Sequence, residues 1–359
     1  MELSKDKWMH RWYWKIAGAV LMVYVLIGGM ITPLKPGIES LDGPLSAKPG
    51  DYVELKIKGY NAHYVTGKNV KAWLKLDDNH IIPAVNLRYV AEDRLIAMFI
   101  LPPSGRKEET VPLTLVLYNT MDGPSILPDA ISILPMTGEI DPNQMIKWHT
   151  SYEQLLPTPP GIKFPYRNIL HETIRNTFFH VALWLSMVII LLAGLYHAIF
   201  YLRTKNTRHD KLSASYNSVA ILYGLLGLAT GSIWARFTWG TWWTTDIKLN
   251  MAAIAMLIYA AYFILRSSIT DFDKRARFSA VYSIFAFVAL IPLIFVIPRL
   301  YDSLHPGNGG NPALGGEDLD NTLRLFFYPS IIGMILLGVW MATLSYRYTK
   351  SEEKVMTQF

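Results

Sequence analysis

Three groups of residues carry the chemistry open to this sequence. The first is the run Phe237-Thr238-Trp239-Gly240-Thr241-Trp242-Trp243-Thr244-Thr245-Asp246. On a helix, Trp239, Trp242, Trp243 and Asp246 fall at i, i+3, i+4 and i+7 and share one face. Three indoles in a row make a flat, polarisable platform for a large planar ligand, and Asp246 can accept a hydrogen bond from it. The plainer reading is a belt of rings at a membrane surface. The second group is His180 with Trp184 one helical turn further along the same face. An imidazole at the point where a helix enters lipid is costly unless it is paired. The third is His305, in the loop Asp302-Ser303-Leu304-His305-Pro306-Gly307, where Gly and Pro exclude a long regular helix. Taken singly, each histidine reads as a structural or solvated residue.

Six apolar stretches must position these groups. They cover about residues 14–34, 178–202, 214–235, 249–266, 279–298 and 325–346, each long enough for a bilayer core that takes about 20 helical residues. The composition agrees: of 359 residues 51% are hydrophobic and only 17% charged, with mean hydropathy +0.22, whereas a soluble domain carries about 25% charge. The absence of cysteine excludes disulfides, thiolate metal sites and iron–sulfur clusters. The first stretch is too long for a signal-peptide core and is expected to be a retained anchor.

Lysine and arginine placement sets the expected orientation. Lys5, Lys7, Arg11 and Lys15, then Arg203, Lys205, Arg208 and Lys211, then Arg266, Lys274, Arg275 and Arg277, then Arg347, Lys350 and Lys354 fall on one side. The other side has only Arg236, Lys248, Arg299 and Arg324 in its short loops. Both termini are therefore expected to be cytoplasmic. The net charge of +6 follows from topology and calls for no nucleic acid. His180, the tryptophan run and His305 then meet on the outer face. Two neutral imidazoles are a familiar axial pair for haem iron, with Arg175, Arg236, Lys248, Arg299 or Arg324 as candidates for the propionates.

The segment between the first two spans has another character. Val53, Leu55 and Ile57 alternate with Glu54, Lys56 and Lys58, and Leu113, Leu115 and Leu117 with Thr114 and Val116. Turn residues recur between such runs, which predicts a small β-sandwich. The expected fold is an all-α polytopic membrane protein of six transmembrane helices with an inserted extracytoplasmic β-sandwich-like domain. The expected divisions are 1–37 (N-terminus and first span), 38–136 (β-rich insertion), 137–176 (Pro-rich tether), 177–347 (five-helix core with the Trp-rich loop 236–248) and 348–359 (cytoplasmic tail).

At these residues the chain resembles the CcmC-type haem-handling membrane proteins of cytochrome c maturation, whose Trp-rich pattern reads WGxxWxWD. Trp239, Gly240, Trp243 and Asp246 match it, and Thr245 replaces the last tryptophan. Phe179-His180-Val181-Ala182-Leu183-Trp184 resembles the family's HVPxxW signature, with Ala182 for Pro, and Ser303-Leu304-His305 resembles the second histidine motif. The resemblance is good over about 164–347, weak over 1–35 and absent over the β-rich insertion, where the family has a short loop. It implies a haem-binding and haem-delivery protein of the inner membrane, not an enzyme. It implies haem b held transiently and non-covalently, with His180 and His305 as axial ligands. Trp239, Gly240, Trp243 and Asp246 would form the haem-contacting segment, with Trp242 added on physical grounds and Trp184 behind it. The implied partners are a periplasmic haem chaperone and the ABC transporter subunits of the maturation system. No P-loop, GxSxG or HExxH is present.

Two rivals stand beside this reading. A haem lyase of the related CcsA type would attach haem to apocytochrome c, and usually adds transmembrane histidines. A non-haem sensor or adaptor would use the β-domain and leave the tryptophans as a belt. His197 is 17 residues beyond His180, about 25 Å along a helix, so it cannot share an iron with it. None of the other five expected spans holds a histidine at its depth.

Overall fold

The computed structural model describes residues 7–77, 79–102, 109–135, 148, 160–167, 170–305 and 319–356. Two compact units emerge, one formed by Met1–Thr32 with Glu172–Phe359 and the other by Pro33–His171. Most of the Pro-rich tether, with Pro142, Pro157 and Pro159, lies outside the described residues, as do His149 and the chain just after His305.

The first unit is built on six helices: α1 (Tyr13–Ile31), α2 (His180–Thr204), α3 (Thr207–Trp239), α4 (Ile247–Ser268), α5 (Phe272–Ile291) and α6 (Asn321–Met356). All six are long and apolar enough to cross a membrane. Their ends follow local chemistry. Thr32 turns extended ahead of Pro33 and stops α1. Asn206, Asp246 and Asp271 cap α3, α4 and α5, each side chain accepting from a backbone N–H of the first turn. Gly240, at φ +78°, ends α3 in the left-handed conformation that glycine adopts without strain. After Ile291, two further turns at Pro292–Val296 and Ile297–Arg299 carry the chain out of α5.

Two boundaries differ from the sequence expectation. α3 begins at Thr207 rather than near 214, because Asn206 caps it early. α6 runs on to Met356, past the expected span end near 346, so residues 348–356 are helical. Lys211 pairs with Glu353 along this extension. Inside the bundle, α3 packs closely on α2 and also touches α4, α5 and α6. Arg266 of α4 donates twice to the buried Asp210 of α3, at 2.7 and 2.8 Å. Such a fork matches the carboxylate geometry, and it neutralises a charge that lipid would not tolerate alone.

The second unit holds nine strands, β1 (Gly37–Asp42), β2 (Ser46–Ala47), β3 (Tyr52–Tyr60), β4 (Lys71–Asp77), β5 (His80–Pro83), β6 (Asn86–Ala91), β7 (Arg94–Ile100), β8 (Val111–Asn119) and β9 (Gly123–Ile133). They form two sheets, in the orders β1-β3-β7-β6 and β2-β9-β8-β4-β5, with β2 parallel to β9 and the other pairs antiparallel. The alternation noted in sequence is what builds the core. Val53, Leu55 and Ile57 of one sheet and Leu113, Leu115 and Leu117 of the other are buried in one apolar cluster. The unit's two ends run side by side. Lys35 N–H donates to the Phe164 carbonyl at 2.7 Å, and Phe164 N–H to the Pro33 carbonyl at 2.9 Å.

Candidate functional site

The tryptophan run is not one helix. Its expected stripe requires helix from 239 to 246, but Gly240 ends α3 and Asp246 begins α4. The residues between them have no regular structure. The four side chains therefore part company. Trp239, the last residue of α3, turns to His305, with ring centroids 4.9 Å apart and edge-on at 80°. Trp242 and Trp243 are exposed, and Trp243 Nε1 donates to Asn250 Oδ1 at 3.3 Å. Asp246 is buried.

Asp246 is the hub of the site. Its Oδ1 accepts from the Lys248 N–H at 2.9 Å and lies 3.0 Å from His305 Nδ1. Its Oδ2 accepts from Ser303 Oγ and from the Leu304 N–H, both at 2.8 Å. One carboxylate thus caps α4 and clasps the loop that carries His305. Burial alone would raise the Asp246 carboxyl. The bonds from Ser303 and Leu304, the neighbouring His305 and the Lys248 amide outweigh it and hold the group below the usual carboxylate range. Burial pushes the His305 imidazole down to about 4, with Asp246 pulling upward and Lys248 opposing. At neutral pH the ring is therefore neutral beside a charged carboxylate. A carboxylate only accepts, so Nδ1 carries the proton and Nε2 keeps its lone pair.

His180, the first residue of α2, reaches the same tautomer by another route. Its Nδ1 lies 3.0 Å from the Gly227 carbonyl and 3.2 Å from Thr230 Oγ1. Thr230 Oγ1 donates its own proton to backbone carbonyls of α3. A carbonyl also only accepts, so Nδ1–H is the donor and Nε2 is again the lone-pair nitrogen. Among the described residues neither Nε2 has a hydrogen-bond partner. The ring sits in a notch at Gly231, where a Cβ would come within 2.6 Å of His180 Cε1. Trp184 stands edge-on to it at 6.4 Å.

The two imidazoles share one face of α3. His180 seats on Gly231, and the His305 ring packs on Trp234 at 5.7 Å. Those two positions are three residues apart, about 4.5 Å of helix. The rings also lie within electrostatic reach of each other. Among the described residues no group of three or more His, Asp or Glu is gathered to hold a bare ion. Two protein nitrogens with lone pairs suit an iron whose other ligands come from a macrocycle.

The candidate cations divide. Arg175 donates to Glu172 at 2.6 Å and to the Gly29 and Thr32 carbonyls at 2.6 and 2.7 Å, so its fork is engaged at the end of α1 rather than at a ligand. Arg236 donates to the Gly240 carbonyl and closes the end of α3. Lys248 lies close enough to act on His305. Arg299 is exposed. Arg324 Nη1 makes a 3.3 Å bond to Asn321, and its buried Nε has no partner among the described residues.

Several contributors escaped the sequence reading: Trp234, Gly227, Thr230 and Gly231. The signal was present, because Gly224, Gly227, Gly231 and Trp234 recur at helical spacing along one face of α3. A second correction concerns His197. Because α3 starts early, His209 stands at its depth, and their Nδ1 atoms are 2.8 Å apart beside the stacked Tyr216. A trans pair on one iron needs about 4 Å, twice a metal–imidazole bond of roughly 2 Å. In this arrangement His197 and His209 bond to each other instead.

A bundle of six membrane-length helices, with two imidazoles set against one face of α3, defines a multi-pass membrane protein. Residues 164–358, more than half of the chain, match the family described as "Heme exporter protein C", and the chain belongs to that family. It is 28% identical to Heme exporter protein C of Bradyrhizobium diazoefficiens over 188 residues, which is 50% of this chain and 66% of that protein. To its Haemophilus influenzae counterpart it is 26% identical over 129 residues, 36% of this chain and 52% of that protein. A shorter match, 50% identical over 56 residues, is to the cytochrome c biogenesis protein CcsA of Prochlorococcus marinus, covering 15% of this chain and 18% of that one. The chain thus aligns with about half to two thirds of the Heme exporter protein C relatives, and with a small part of CcsA.

Proposed function

We propose that this protein binds haem b as cargo, non-covalently, and presents it for cytochrome c maturation. The axial ligands are His180 Nε2 and His305 Nε2. The observation that carries the reading is the matched state of the two rings: each Nδ1–H is spent on an acceptor-only oxygen, which leaves each Nε2 a free lone pair. Ligating histidines need that outer bond to fix tautomer and orientation. Arg324, whose buried Nε has no partner among the described residues, and the exposed Arg299 are candidates to meet the propionates, with Lys248 beside His305. Arg324 stands two residues before Phe326, whose ring packs on Phe178 just ahead of His180. The exposed Trp242 and Trp243 offer apolar cover to the macrocycle or a docking edge for the receiving protein.

The site faces outward across the cytoplasmic membrane, with both termini inside and the β-rich insertion outside. The receiver is a periplasmic haem chaperone, and ABC transporter subunits supply the energy that no motif here provides. His180 is fixed in a 25-residue helix, while His305 lies outside the helices on a segment clasped by Asp246. His305 is therefore the ligand to let go, and transfer is ligand exchange with the chaperone.

Haem titration of the detergent-purified protein tests this. A low-spin Soret spectrum is expected for the native chain, and its loss in His180→Ala and His305→Ala. Unchanged spectra in both variants would overturn the ligand assignment. Since the chain lacks cysteine, single cysteines placed at residues 301 and 205 give the orientation by membrane-impermeant labelling: 301 labels from outside and 205 does not. The CcsA likeness favours one second reading, a lyase that attaches haem covalently. Haem bonded to a CxxCH peptide after incubation would select it.

A further inference from the structure

We propose that Trp234 is a positioning residue for His305, fixing the plane of the axial imidazole. With Trp239 it walls that ligand. The inference rests on the haem reading above and concerns a residue outside the tryptophan run.

The argument is geometric. Asp246 holds His305 along its Nδ1–H axis. A single hydrogen bond fixes one direction and leaves the ring free to turn about it. Trp234 removes that freedom. Its indole lies beside the imidazole, with ring centroids 5.7 Å apart and the planes tilted by 31°. Trp239 closes the side, edge-on to the imidazole at 80° and to Trp234 at 75°, with centroids 4.9 and 4.8 Å away. Three neighbours thus bound one ring. Two of the walls come from α3, the helix that also seats His180 on Gly231 and Gly227. One rigid element then sets both axial planes, and the angle between them is a property of α3 rather than of the His305 loop.

The angle between two axial imidazole planes governs the anisotropy of a ferric low-spin haem, which electron paramagnetic resonance reads directly. Trp234→Leu in the full-length haem-loaded protein is expected to shift or broaden the g-values while the absorption spectrum stays low-spin. Trp234→Phe, which keeps a ring, should fall between. Phe237→Leu, an exposed neighbour, should match the native signal. A second measurement uses the vacated box. In His305→Gly, added imidazole should restore the low-spin spectrum, and His305→Gly/Trp234→Leu should need at least about tenfold more imidazole, the lower end of what a supporting residue commonly changes. Superimposable g-values for Trp234→Leu, or equal imidazole requirements, would overturn the inference while histidine-dependent haem binding stands. Absence of any haem signal in the native protein would overturn both.

Discussion

Asp246 shows how one residue can organise a site through its neighbours. Its four donors fill both carboxylate oxygens, and one of them is the ring that would hold iron. Asp246→Asn keeps the shape, removes the charge and replaces one acceptor with an NH2 group that faces donors. Haem affinity should fall about 10–100-fold, the usual cost of losing a carboxylate behind a ligating histidine, and a Soret titration measures it. At this scale the sequence was informative about residue types and poor about roles. His180, His305 and Asp246 stand out by type and spacing. That Asp246 orients His305 was hidden, because 57 residues separate Asp246 from Ser303 and only the fold brings them together.

The elements explain why the tryptophan run misled. A stripe at i, i+3, i+4 and i+7 assumes continuous helix, yet the run contains a glycine that ends one helix and an aspartate that caps the next. Gly240 and Asp246 were the punctuation. Gly240→Ala would force a side chain into φ +78°, at a cost of about 1–2 kcal/mol. The variant should melt at lower temperature than the native protein by differential scanning calorimetry. In the β-rich unit the period-two pattern was legible, while the pairing of Lys35 with Phe164 was not, since no local pattern marks so distant a contact. Tyr166 lies in that region. It stacks on Tyr60 at 4.8 Å, and its hydroxyl is 3.1 Å from His171 Nδ1. Burial, with Glu39 and Tyr60 nearby, pushes its hydroxyl up to about 12. The neutral form is favoured by folding, so this stabilisation is whole below pH 10 and is lost as pH rises through 10 to 12. Tyr166→Phe, which cannot ionise, should therefore lose less stability than the native protein between those values, as followed by thermal melts across pH.

For the whole molecule, six spans and a separate β-rich segment were readable from hydropathy and alternation alone. The first span and the later helices form one unit, and the inserted segment Pro33–His171 forms the other. Every residue of the proposed site belongs to the membrane unit. The ends of the gap are already joined there by Arg175, which bonds the Gly29 and Thr32 carbonyls only three residues after Glu172. Replacing residues 33–171 by a short Gly-Ser linker should therefore leave haem binding intact, as the Soret spectrum would report. Comparison of chaperone loading with and without the insertion then shows whether the β-rich unit meets the receiver. An equal rate would make it an accessory.

The near-infrared magnetic circular dichroism of the ferric haem-loaded protein, which identifies the axial pair itself, tests the account most directly. A bis-imidazole charge-transfer band in the native chain, abolished by either histidine substitution, is the predicted result. A band typical of histidine–water or histidine–methionine ligation in the native chain would contradict it.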